Sequence, residues 1–438
     1  MLAFRPQRLF RHSFLAQYDI YNIKTRKLVK LQPDLDELIR SLGGNPDEIG
    51  GPGGGPGGPP GGPPGGGPGG PPPGPPPQLP LEFAMWGPVG SSLVYVFGAN
   101  IYYRETPESP DVMVSITGRP GVVFNGVADW VYEEEVLSDT RAIWFSPNGD
   151  KVGEGDCKSN CLRYPKPGRT NPGVKVYSAP VRSISRTPRS MRLDPPSYFN
   201  DRERIIYAVT WASDSEVSLT WENRHQNYSV VNICDVGGSS PDCQDALVMT
   251  SPKGWLELEE APVYTEDGRR FAMALSANGY KQVNVVNRDT NQRVPITSGA
   301  MVVTNIFHWD EVNHEIYFQA TKENSPGERH LYKVTDFKSG QPGLVTCLSC
   351  QELNTRGGTC GYNSFEFSTD HSFYAMSCDG PHVPQVYMYE TNPNSRLEIL
   401  VDNAKLSSDL AAKSLPKVKH LFISFGSATL RNFQFLVF

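Results

Sequence analysis

From Leu79 onward the chain alternates short apolar or aromatic runs with polar turns, and helical spacing of apolar residues is nearly absent. One unit recurs: an apolar run, a polar turn, a second apolar run, then a strand containing tyrosine. It reads FAMWGPVGSSLVYVFGANIYY at Phe83–Tyr103, IWFSPNGDKV from Ile143 and APVYTEDGRRFAMALSANGYKQVNVV from Ala261. Two further copies are IFHWDEVNHEIYFQAT from Ile306 and FEFSTDHSFYAMSCDGPHVPQVYMYE from Phe365. The pattern places turns near Val89, Asn148, Asp267, Val312 and Asp370. Several of these lie about 45 to 60 residues apart, the span of one four-stranded propeller blade with long loops. The wider gap from Asn148 to Asp267 leaves room for another blade around IIYAVTWASDSEVSLTW, Ile205–Trp221. The pattern therefore predicts an all-β fold, a β-propeller whose blades occupy residues 80–413, with a pair of β-sandwiches as the rival architecture.

Two segments break the pattern. Asp34–Gly44 (DLDELIRSLGG) predicts a short helix closing on paired glycines, within an N-terminal blade segment 1–47. Gly50–Pro77 consists of 15 Gly and 13 Pro alone. Collagen needs Gly at every third position, and counting from Gly58 the period fails at Pro64. Such a tract has no apolar side chains to bury, so residues 48–79 are expected to be a disordered insertion. A ligand for a proline-binding module is the alternative. The last residues, 414–438, lie outside the blade pattern.

The tract explains the high totals of 42 Gly and 39 Pro; the remainder has ordinary globular composition. The net charge is −6, which argues against nucleic acid as a partner. No run approaches 18 apolar residues, so no membrane contact by a spanning helix is expected. The start, MLAFRPQRLFRHSF, has neither the apolar core nor the cleavage site of a signal peptide.

Eight cysteines, an even number at local spacings, suggest strand-linking disulfides and an oxidising compartment. Zinc is the competing reading, because Cys347 and Cys350 form a CxxC. A zinc ribbon wants a second CxxC, and Cys360 and Cys378 do not supply one. No metal and no cofactor is expected. Asn227-Tyr228-Ser229 is the single glycosylation acceptor and agrees with a secretory setting, although such triplets also arise by chance.

The sharpest local feature is DWVYEEEV, Asp129–Val136. Glu133 to Glu135 read first as a solvated helix start or loop. Trp130 and Tyr132 argue for an anchored segment instead. Carboxylates held together repel unless a cation sits between them, and a substrate ammonium would supply it. With WGPVGSSLVYV, IWFSPNG, YPKPGRTNPGVKVY, VTWASDSEVSLTW, HQNYSVVNICD, GERHLYKVT and VTCLSCQELN following the order of that family, the sequence resembles the dipeptidyl peptidase IV group of the prolyl oligopeptidase family. RHSFLAQYDIYNIKTRKLVKL, Arg11–Leu31, resembles the same group, and the likeness runs from Arg11 to Glu398.

That resemblance implies an eight-bladed propeller capping a separate α/β-hydrolase domain, at the cell surface or outside the cell. It implies removal of N-terminal Xaa-Pro or Xaa-Ala dipeptides, with peptide N-termini as the partners. Glu134 and Glu135 would hold the substrate ammonium, and Arg11 would contact its carbonyl. Disulfides carry over as Cys234–Cys243, Cys347–Cys350 and Cys360–Cys378; Cys157 and Cys161 have no family counterpart and form a fourth candidate pair. The sequence also departs from the family. It contains no G-x-S-x-G nucleophile turn, so no catalytic residue is assigned. The histidines, His12, His308 and His420 among them, have no serine and acid around them and read as surface or packing residues. KHLFISFGSATLRNFQFLVF is expected to be a crossover stub toward a hydrolase domain. The family's dimerisation arm is shortened between Gly149 and Tyr164, which leaves dimerisation open. The expectation is an incomplete propeller that selects substrates and is inactive alone; a non-catalytic interaction protein of the same family is the alternative.

Overall fold

The computed structural model describes residues 1–34, 78–158, 168–181, 190–200, 203–258, 260–340, 343–352, 358–414, 417–425 and 428–437. The expected helix after Asp34 and the tract Gly50–Pro77 lie outside these residues. Among the described residues, the regular structure is almost wholly strands in antiparallel meanders. The first sheet has three strands, β1 (Leu2–Arg8), β2 (Phe14–Tyr21) and β3 (Leu28–Leu31), in that order. The second has four: β4 (Phe83–Trp86), β5 (Leu93–Phe97), β6 (Asn100–Arg104) and β7 (Val112–Met113). The third comprises β8 (Val123–Asn125), β9 (Ile143–Phe145), β10 (Lys151–Lys158), β11 (Gly173–Pro180) and β12 (Met191–Leu193). Its order is β12-β11-β10-β8, with β9 also paired to β10.

Two further four-stranded sheets follow in sequence order. They are β13 (Arg204–Trp211), β14 (Glu216–Asn223), β15 (Tyr228–Asp235) and β16 (Asp242–Thr250), then β17 (Val263–Tyr264), β18 (Arg270–Ala277), β19 (Tyr280–Asn287) and β20 (Gln292–Pro295). The next meander is β21 (Val303–Asp310), β22 (Glu315–Lys322), β23 (Ser325–Thr335) and β24 (Val345–Cys347). Another is β25 (Tyr362–Phe367), β26 (Phe373–Gly380), β27 (Gln385–Glu390) and β28 (Ser395–Val401). One parallel pair, Arg329 with Tyr362, joins these last two. Among the described residues one α-helix, α1 (Ala404–Ala411), buries nothing and was not legible in the apolar spacing. The strands β29 (Lys417–Phe425) and β30 (Ala428–Val437) pair with each other, in the segment expected to be a crossover.

The chain divides into two compact units, Met1–Arg224 with Cys234–Cys243, and His225–Ile233 with Gln244–Phe438. In the first, the run Leu93–Phe97 shows why a blade strand reads as continuously apolar. Leu93 and Tyr95 pack into a cluster with Ala16, Tyr18 and Leu31. Val94 and Val96 point the other way, into a cluster with Ile101, Ile143 and Val152. Both faces of the strand are covered, so the usual alternation is lost. The second unit repeats the arrangement at β23, where Tyr332 and Val334 join one core and Leu331 the other. The outermost strand β20 is the reverse, exposed throughout.

All five expected turns connect consecutive paired strands: those at Val89, Asp267, Val312 and Asp370 join the first strand of a meander to the second, and Asn148 joins β9 to β10. Three share one construction. A Ser or Thr hydroxyl donates to the Asn or Asp two residues on: Ser146 to Asn148 at 2.8 Å, Thr265 to Asp267 at 2.7 Å and Ser368 to Asp370 at 2.7 Å. The following residue has a left-handed backbone, Gly149 at φ 73°, Gly268 at φ 67° and His371 at φ 55°.

The ends of the chain around the undescribed segment 35–77 are fastened. The Asp34 amide donates to Asp111 at 3.1 Å. Gln78 donates through Nε2 to the Tyr18 and Leu31 carbonyls at 2.7 and 3.2 Å, and its own carbonyl accepts from Gln17 at 2.6 Å. Leu81 then pairs with Ala16. The described chain thus resumes at Gln78, inside the stretch expected to be insertion.

Candidate functional site

DWVYEEEV forms one short π-helical turn, Tyr132–Val136, in which the Leu137 amide reaches back five residues to the Tyr132 carbonyl at 2.7 Å. Asp129 starts it: its Oδ1 accepts the Tyr132 amide at 3.0 Å and its carbonyl accepts the Glu133 amide at 2.8 Å. Tyr132 anchors it. The ring is buried, and its hydroxyl accepts the Ile206 amide of β13 at 3.3 Å.

The three glutamates then point to three different environments. Glu133 is fully buried, and its Oε1 accepts the amides of His12 and Ser13 at 2.7 and 2.9 Å. Its Oε2 is buried without a hydrogen bond. Glu134 meets Arg11: the Arg11 amide donates to Oε1 at 3.1 Å, and the guanidinium Nε lies 2.9 Å from Oε2. The Glu134 side chain is 8 % exposed and that of Arg11 66 %. Glu135 is exposed. The structure thus brings Arg11, Glu134 and Glu135 to one place. It also adds Glu133, to which sequence reasoning gave no role of its own. The missed signal was steric: three consecutive residues of a helical turn cannot face one way, so one carboxylate had to turn inward and find donors.

The cysteines are bonded as Cys234–Cys243, Cys347–Cys350 and Cys360–Cys378. Cys161 lies outside the described residues, so a pair with Cys157 has no structural counterpart to report. Asn227 is exposed just before β15. Among the described residues no helix is long and apolar enough to cross a membrane.

A second feature lies in the second unit, a cavity of about 750 Å³ lined by Glu266, His308, Asp310, Asp370, His371 and Glu390 among others. The rings of His308 and His371 stack with centroids 3.8 Å apart and planes within 6°. Burial first, and then the neighbouring His371, push the His308 imidazole down to about 4 against the opposite pull of Asp310. Burial also lowers His371. His308 is half-buried at the cavity wall, and its stacking partner His371 was not foreseen.

A family profile described as "Dipeptidyl peptidase IV (DPP IV) N-terminal region" matches residues 70–153 and 153–385. Inactive dipeptidyl peptidase 10 of Rattus norvegicus is 29% identical over 447 residues, covering 95% of this chain and 49% of that protein. Dipeptidyl peptidase 4 of Bos taurus is 28% identical, covering 94% of this chain and 52% of that protein. Prolyl endopeptidase FAP of Mus musculus is 29% identical over 80% of this chain and 48% of its own length. The chain thus spans about half the length of the curated relatives it matches. The crystal structure of Porphyromonas gingivalis dipeptidyl peptidase 4 superposes with a TM-score of 0.70 at 18% identity, over 97% of this chain and 54% of that one. That likeness establishes the fold, an all-β propeller architecture.

Proposed function

The chain belongs to the dipeptidyl peptidase IV N-terminal region family, and on that premise we propose that it is the substrate-selecting propeller of a serine dipeptidyl peptidase. The observation that carries this reading is the Arg11–Glu134 pair on a turn locked by Glu133. A peptide's free N-terminus brings one positive charge. Glu134 and Glu135 bring two negative charges and Arg11 one positive, so an ammonium between the two carboxylates completes a neutral set. Arg11 pairs with Glu134 and leaves donors on its exposed guanidinium for the substrate carbonyl. Backbone bonds to Glu133 fix the RHS segment relative to the acidic turn, so the set is assembled before a peptide arrives. Bond cleavage would fall to a hydrolase domain, since this sequence has no G-x-S-x-G turn. The disulfides and exposed Asn227 support a place outside the cell or on its surface.

The reading is tested by calorimetric titration of the chain with a Gly-Pro-initiated peptide and its N-acetylated form. Each charge-assisted hydrogen bond is worth roughly 1.5 to 3 kcal/mol. Acetylation, Glu134→Gln and Glu135→Gln should therefore each weaken binding about ten- to a hundredfold. Equal affinity for both peptides would sink it. The relation to inactive dipeptidyl peptidase 10 favours a second reading, a non-catalytic interaction protein. On that reading both variants leave peptide binding unchanged.

A further inference from the structure

His330, Cys347 and Cys350 lie together in the second unit, and one ligand atom from each falls within 4.8 Å of the others. His330 is on β23 and its side chain is 2 % exposed. Its two ring nitrogens are separately engaged. Nε2 is 3.0 Å from the Glu328 carboxylate, and Nδ1 is 3.2 Å from the hydroxyl of Ser349. Ser349 stands between the two cysteines in sequence, so Nδ1 is the nitrogen turned toward the CxxC. The Glu328 carboxylate at Nε2 orients the ring as second partners orient histidine ligands in metal sites, and a cation at Nδ1 would take the place of the Ser349 hydroxyl there. The Ser349 hydroxyl is held in turn by the Leu331 amide at 3.0 Å. The hydroxyl of Tyr332 lies 3.7 Å from Cys350 Sγ, placed to donate toward a thiolate. Both cysteines are half-buried, so a small reductant can reach them.

We propose that reduction of the Cys347–Cys350 disulfide converts this cluster into a zinc-class metal site formed by two thiolates and His330 Nδ1. The steps balance. A dithiol reductant passes two electrons and two protons to the sulfur–sulfur bond, which breaks to two thiols, and itself becomes a disulfide. A divalent ion then displaces the two thiol protons to the solvent and binds both thiolates and the neutral imidazole. Tetrahedral bonds of about 2.3 Å to sulfur and 2.0 Å to nitrogen need donors roughly 3.5 to 4 Å apart, within reach of the spacing seen. The fourth position falls to water or to the Ser349 hydroxyl. In the oxidised chain both sulfurs are committed to each other and the site is closed. The chemistry selects a thiolate-preferring ion such as zinc over calcium or magnesium.

The test uses the full chain, with and without a phosphine reductant and with zinc as the probe. Cysteines are then alkylated and each is read by peptide mass spectrometry. In the reduced chain, zinc should slow alkylation of Cys347 and Cys350 at least tenfold, leaving Cys360 and Cys378 unaffected. Cobalt(II) should bind at one equivalent with the visible absorption of thiolate ligation, and only after reduction. His330→Gln should weaken cobalt binding at least tenfold, and Glu328→Gln should weaken it less. The proposal fails if zinc protects all cysteines alike or none. It also fails if Cys347→Ser with Cys350→Ser leaves reduction-dependent cobalt binding intact. Should that double variant not fold, the alkylation pattern of the unmutated chain decides alone.

Discussion

Three neighbouring carboxylates sit in three different environments, and substitution should separate them. Glu133→Ala would leave the amides of His12 and Ser13 without an acceptor, one of them buried. The expected loss is about 3 kcal/mol of unfolding free energy, from two unmet donors at about 1 to 3 kcal/mol each. Glu135→Ala, at an exposed position, should stay within about 0.5 kcal/mol. Urea titration of both variants checks the contrast, and equal effects would refute it. The sequence made the triplet visible because DWVYEEEV stands out, and the resemblance pointed to Glu134, Glu135 and Arg11. It hid Glu133 because burial of one glutamate depends on donors more than a hundred residues away in the chain. The stacked pair His308–His371 was hidden for the same reason. Its pH behaviour has a definite sign. An unfolded histidine titrates near 6.5, and folded His308 near 4. The unfolded state therefore binds protons more tightly between these values, and stability falls as pH drops from about 6.5 toward 4. His371 acts in the same direction. After allowing for solvent exposure the His308 share is about 1 to 2 kcal/mol. The thermal midpoint should fall across this window, and His308→Gln should flatten the fall.

The blades declare themselves through these hairpin turns. Ser146, Thr265 and Ser368 each donate to a carbonyl oxygen or carboxylate two residues on, and this local bond needs nothing from the rest of the fold. That is why those turn positions could be read directly. Helix α1 was not legible, since AKLSSDLA spans only eight residues with Leu406 and Leu410 as its large apolar side chains, too short a run to show a period. The turns also make a prediction about their fourth residue. Gly268 has φ 67°, so Gly268→Ala should cost about 1 kcal/mol. His371 holds the same turn position at φ 55° with a side chain attached. His371→Gly relaxes that backbone while losing the stack on His308, so its net cost should stay below that of Gly268→Ala. Paired chemical denaturation curves decide the order; a larger loss at His371 would mean that the stack outweighs the backbone.

Across the whole molecule, propeller blades were recoverable from spacing because every blade repeats one meander, whereas the division into two units follows no sequence mark. The fastening at Gln78 has a consequence of its own. Gln78 holds the Tyr18 and Leu31 carbonyls with one side chain, and Asp34 is tied to Asp111, so strands β3 and β4 are registered without help from what lies between them. The cost of closing a chain segment grows only with the logarithm of its length. Removing Gly50–Pro77 should therefore shift stability by about 1 kcal/mol, in favour of the shorter chain. A melting curve that collapses on this deletion would show that the tract itself supports the sheet. If it does not collapse, the gap between Asp34 and Gln78 is a socket: a foreign domain with adjacent termini could be spliced there, carried as cargo, and leave both neighbouring sheets in register.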